Sequence, residues 1–130
     1  MYQTRDIEQR RDNMFKLSGL QDGYNQKLVV SNTGYGDITF YFHYSDTQIS
    51  WWYGVFWEDW GFQNHRLLLS PNLLDRFRNI IPFGLQCVSL DGGEPLFQSD
   101  FTIPRIQLNI LTTEERDIVH TYQFRPFIYE

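Results

Sequence analysis

The apolar and polar positions of this chain fall mostly into short runs of strand period, broken by turns. Ile38, Phe40, Phe42 and Tyr44 occupy every second position, which predicts a strand over 38–44 with one apolar face. Residues 26–31 predict a strand before it, and the glycine-rich 32–37 a turn able to supply positive φ. After a turn at 45–47, residues 49–57 predict a third strand, with Trp51, Tyr53, Val55 and Trp57 on one side and Trp52 and Phe56 on the other. That strand has no polar face before Glu58, so both of its faces are expected to be covered. Glu58-Asp59-Trp60-Gly61 reads as a hairpin tip with Gly61 in the left-handed conformation, and 62–69 as the returning strand. Strands follow at 84–90 and 105–111. In the latter Ile106, Leu108 and Ile110 oppose Arg105, Gln107 and Asn109. A turn at 112–117 leads to a last strand over 118–129, whose Pro126 confines its end to a sheet edge.

Two segments depart from this period. Ser70 can cap a helix, Pro71 suits its first position, and Leu73, Leu74 and Phe77 form a short apolar face, so two helical turns are predicted before Pro82. Residues 1–22 fit equally a weak helix capped by Thr4 and an arm that orders on a partner; 23–130 form a single β-domain. The expected fold class is therefore all-β and mainly antiparallel. It is a small barrel or sandwich of about seven strands, with one short helix and an N-terminal arm.

Charge and composition narrow the function. The 130 residues carry a formal net charge of −5, which disfavours nucleic acid as a partner. Residues 1–22 balance their charges with Arg5, Arg10, Arg11 and Lys16 against Asp6, Glu8, Asp12 and Asp22, so the rest of the chain carries the acidic excess. The single cysteine, Cys87, precludes an internal disulfide and a Cys-based zinc site, and its apolar neighbours suggest a buried, inert thiol. The N-terminal sequence lacks the apolar region of a signal peptide, and no apolar run approaches the ~20 residues of a membrane helix. Assembly in a reducing cytosol, away from membranes, is the expectation.

Reactive constellations are sparse. His43, His65 and His120 lack metal-ligand spacing, and each reads as a hydrogen-bonding residue. Glu58 and Asp59 lie among tryptophans, where a sugar-cleaving pair would need a defined separation in a cleft. The glycines of 32–36 lack the following Lys-Ser/Thr of a phosphate loop, and 91–94 lack a calcium ligand series. No cofactor, metal or catalytic residue is expected.

The order of features nevertheless has a counterpart. Gly23-Tyr24-Asn25-Gln26 opens the first strand, an aromatic strand follows, and Trp51-Trp52 mark the third. Leu67-Leu68-Leu69-Ser70-Pro71-Asn72-Leu73-Leu74-Asp75-Arg76-Phe77, Gly84-Leu85, Asp91-Gly92-Gly93-Glu94-Pro95 and Ile106-Gln107-Leu108 come next, ending in Thr112-Thr113-Glu114-Glu115. Across residues 22–116 this resembles the small baseplate plug proteins of contractile-tailed bacteriophages. The resemblance implies a non-enzymatic, all-β virion component near the tail hub and tube. Its partners would be other tail and baseplate proteins and copies of itself in a ring. Trp57, Trp60 and Phe62 at the hairpin tip, Arg10, Arg11 and Phe15 in the arm, and Phe127 and Tyr129 in the tail are the candidate interface residues. Two other classes stay open: a carbohydrate-binding β-module using the clustered tryptophans, and an enzyme using Glu58, Asp59 or Cys87.

Overall fold

A computed structural model describes residues 14–21 and 25–124. Among them are seven strands, all paired antiparallel, in two sheets. Strands β2 (Asn25–Val30), β3 (Ile38–Ser45), β4 (Ser50–Trp57) and β5 (Trp60–Arg66) form one sheet in sequential order. Strands β6 (Gly84–Ser89) and β7 (Ile106–Leu111) form the other, with β1 (Met14–Leu17) on the far side of β7. The two sheets make a small sandwich and do not close into a barrel.

The expected apolar rows are the core. Ile38, Phe40, Phe42, Trp51, Val55, Leu85, Leu108 and Ile110 are all buried, and the two inner faces meet through them. Aromatic rings complete the join. Phe101 sits edge-on to Trp51 at 5.0 Å, and Phe83 meets Trp57 at 5.9 Å and Tyr35 at 6.0 Å. The Trp51 indole N–H donates to the Phe97 carbonyl at 2.9 Å, and the Tyr44 hydroxyl to the Leu96 carbonyl at 2.7 Å. Cys87 lies in this core as expected. Its burial, reinforced by the Glu94 and Asp100 charges, pushes the thiol up to about 12. Iodoacetamide at neutral pH is therefore expected to leave Cys87 unmodified in the native protein and to label it once denaturant is added.

Three expected elements are corrected. The last strand is absent from 118–124, because Thr113–Phe124 is an α-helix, α1. Thr112 caps it: its hydroxyl accepts the Glu115 N–H at 3.3 Å, and its carbonyl accepts the Arg116 N–H at 2.8 Å. The Tyr35 hydroxyl accepts the Thr113 N–H at 2.8 Å, and the buried Arg116 donates to the Ile81 carbonyl. Acidic Glu114 and Glu115 in the first turn suit the helix dipole.

The helix expected from Ser70 is reduced to one 3-10 turn, Asp75–Phe77. Ser70 instead exchanges two backbone hydrogen bonds with Cys87 and so protects the edge of β6. The buried Asn72 carbonyl oxygen accepts the N–H groups of Leu74 and Leu85, each at 3.0 Å. A side chain on Gly84 would strike Asn72 at 2.8 Å, which accounts for the glycine. Short polar side chains here compete with helix by bonding the nearby backbone.

The third correction concerns residues 14–17, which are strand β1, in register Leu17 to Leu108 and Phe15 to Ile110, and not helix. Residues 1–13, with the rest of the expected arm or helix, lie outside the described residues, as do 125–130.

The turns carry two further surprises. At the β4–β5 tip the positive φ belongs to Glu58 (52°) and not to Gly61. Gly61 is needed for another reason, since a Cβ there would sit 2.1 Å from the Phe56 ring. Ile49, in the β3–β4 turn, has φ 50° and is 55% exposed. A β-branched residue is strained in that region. Ile49→Asn is expected to raise unfolding stability by about 1 kcal/mol in urea titrations, because Asn tolerates the left-handed conformation.

Candidate binding surfaces

The tryptophan-rich hairpin divides its aromatic residues between two faces. Cross-strand partners share a face, so the pairs Trp57–Trp60, Val55–Phe62 and Tyr53–His65 point inward. Between them β5 carries one extra residue: Gln63 and Asn64 together face Gly54, and Asn64 takes φ 61°. This bulge puts Phe62 and His65, three residues apart, on one face, where their rings stack at 4.2 Å. Phe62 also stacks on Phe77 at 5.6 Å, and Trp60 meets Phe77 at 5.1 Å. The Trp57 N–H donates to the Tyr35 carbonyl at 2.8 Å. Trp60 and Phe62 thus share one half-buried aromatic cluster with Phe77, while Trp57 packs on Phe83, and all three lie against the core. Arg76 donates to His65 Nδ1 at 3.3 Å. Burial and then the Arg76 charge lower the His65 pKa.

The other candidate interface residues are not assembled with this cluster. Phe15 lies in β1 opposite Ile110. Arg10, Arg11, Phe127 and Tyr129 lie outside the described residues.

The outward face of the same sheet is a second surface. One cross-strand row runs Lys27, Tyr41, Gly54 and the bulge at Gln63 and Asn64; the next runs Asn25, His43, Trp52 and Arg66. Gly54 leaves a dip in the first row, and the Gln63 carboxamide oxygen would be 2.9 Å from a Cβ placed there. The result is a groove of about 520 Å³ lined by Asn25, Lys27, Tyr41, Trp52, Gln63 and Asn64, among others. His43 Nδ1 and Asn25 Oδ1 are 3.0 Å apart at its end. The composition of this face was visible in the sequence as the residues opposite the core rows. Its geometry was not, because it depends on the bulge.

A third surface is the segment 90–105, which Arg105 ties together. Its guanidinium makes a paired contact with the buried Asp100, at 2.9 and 3.0 Å, and bonds Asp91 at 2.9 Å. It also donates to the carbonyls of Gly93 and Glu94, at 3.1 and 2.6 Å, and lies 5.4 Å from the Phe97 ring centre. The Leu90 N–H donates to the Arg105 carbonyl at 2.9 Å. Around this clamp three apolar residues face solvent: Leu90 is 84% exposed, Ile103 66% and Phe97 58%.

Among the described residues, no group of three or more His, Cys, Asp or Glu side chains is placed to hold a metal ion, and no helix is long and apolar enough to cross a membrane. Glu58 and Asp59 are exposed at the hairpin tip, and Cys87 is buried in the core. Set against models of known protein families and against curated proteins, the sequence matches none.

Proposed function

We propose that this protein is a structural component of a phage tail baseplate or hub, joining tube or hub subunits through protein–protein contacts and working in the virion beside copies of itself in a ring. The observation that carries the reading is the exposed apolar trio Leu90, Phe97 and Ile103, carried on a segment that Arg105 ties together through five hydrogen bonds. Exposed apolar side chains fixed in place bind a partner without a large ordering cost. The half-buried rings of Trp60 and Phe62 add a second patch at the hairpin tip. The order of motifs over residues 22–116 supplies the family side of the proposal.

Cross-linking mass spectrometry on purified particles tests it. The expected result is this chain in the particle, with cross-links to tube or hub proteins and between its own copies. Leu90→Asp with Ile103→Asp should leave a folded monomer that fails to enter particles. Trp60→Ala should also reduce incorporation. Normal incorporation of the double variant, or no chain in the particles, defeats the reading.

A further inference from the structure

We propose that the outward groove of the four-stranded sheet is a binding site for an acidic oligosaccharide. This does not rest on the reading above. The groove combines aromatic ring surface with planar amides and cations. Tyr41 and Trp52 are half-buried on the solvent side of the sheet, flanked by the exposed Asn25, Gln63 and Asn64. Sugar rings present C–H faces that pack on aromatic rings and rim hydroxyls that pair with carboxamides, so this lining matches them on both counts. Its volume of about 520 Å³ is within the usual range of ligand sites, roughly 300–1,000 Å³.

Trp52 is the residue that a purely structural account explains least. Trp51 and Trp57 each donate their indole N–H to a backbone carbonyl. Trp52 makes no ring contact and no indole hydrogen bond among the described residues. Tyr41, by contrast, has an internal role as well, meeting Phe56 edge-on at 5.6 Å.

Charge selects the class of sugar. The chain has 16 carboxylate side chains and a net charge of −5, yet none of the residues lining the groove is acidic. Lys27 lines it, and Arg66 stands beside Trp52 in the cross-strand row. Cations at the two edges of this face, with no carboxylate in the groove lining between them, favour a ligand with carboxylates of its own. The bulge at Gln63 and Asn64, with Asn64 at φ 61°, aims two amides at the rim where regular pairing would aim one.

Tryptophan fluorescence and isothermal titration on the full chain test the site, with hexagalacturonate and a hyaluronan hexasaccharide as acidic probes and maltohexaose as the neutral one. At least one acidic probe should bind and shift the emission, more strongly at low salt. Trp52→Ala should weaken that binding about tenfold or more with an unchanged unfolding midpoint, as expected on removing a stacking face. Lys27→Glu, an exposed change away from the core, should weaken the acidic probe selectively and serves if Trp52→Ala does not fold. Absence of binding by both acidic probes at millimolar concentration overturns the proposal. So does binding that neither variant alters, or equal binding of maltohexaose. A self-association abolished by Trp52→Ala would give the groove to a second copy of the chain and overturn it as well.

Discussion

Arg105→Ala is expected to destabilise the protein by about 3–5 kcal/mol, the usual cost of breaking a buried ion pair from one side. Asp100 is only 2% exposed, and the substitution removes both charged hydrogen bonds to its carboxylate. The Gly93 and Glu94 carbonyls and the Asp91 carboxylate each lose their hydrogen bond from Arg105 in the same step. Arg105→Lys should recover only part of the loss, since a single ammonium cannot span a paired carboxylate contact and two carbonyls at once. Urea unfolding followed by tryptophan fluorescence measures both variants. A midpoint for Arg105→Ala close to that of the parent would mean that the segment 90–105 holds its shape without the clamp.

The clamp also has a direction in pH. The Gly93 N–H, at 2.9 Å, and after it the Arg105 guanidinium hold the Asp91 pKa below its ordinary 3.8. A carboxyl depressed in the folded state contributes stability that is fully present above its unfolded value and is lost as pH falls through the folded one. Stability should therefore decline on acidification below about pH 4. Asp91→Asn should flatten that part of the profile.

The β-rich half of the molecule could be read from the sequence because its signals are local and periodic. Ile38, Phe40, Phe42 and Tyr44 alternate without interruption, and all four are buried in β3. Ile106, Leu108 and Ile110 do the same in β7. Sequence and structure part where two local rules compete. Ser70-Pro71-Asn72 satisfies the rules for a helix start, but the hydrogen bonds of Asn72 to Leu74 and Leu85 draw the segment onto β6. That outcome depends on a strand 13 residues away. The α1 helix had a legible start in Thr112 and Glu115, three apart as in a capping box, but the β-branched and aromatic residues after it resemble a strand. Short strand β1 has no period of its own and exists through its pairing with β7. The candidate surfaces divide in the same way. That Trp52 opposes Trp51 across the strand follows from parity alone, whereas the bulge that shapes the groove is a property of two paired strands. The Arg105 clamp joins side chains and carbonyls spread over 91–105, and no spacing rule announces it.

Trp51→Ala should be the most damaging of the four tryptophan substitutions, at about 3–5 kcal/mol. Its ring is fully buried, with Tyr44 edge-on at 5.3 Å and Phe101 at 5.0 Å. Its N–H supports the Phe97 carbonyl, so truncation opens a cavity and also loosens the segment that carries Phe97. Trp60, half-buried against Phe62 and Phe77, should cost less when truncated, because part of its surface is already in water. Trp52 should cost least, since it faces outward and lacks an internal hydrogen bond among the described residues. The order Trp51, Trp60, Trp52 in urea midpoints is thus a test of which rings hold the sandwich together and which remain available to a ligand or partner. If Trp52→Ala were as destabilising as Trp51→Ala, the outward face would be a second structural core, and the groove would lose its standing as a binding surface.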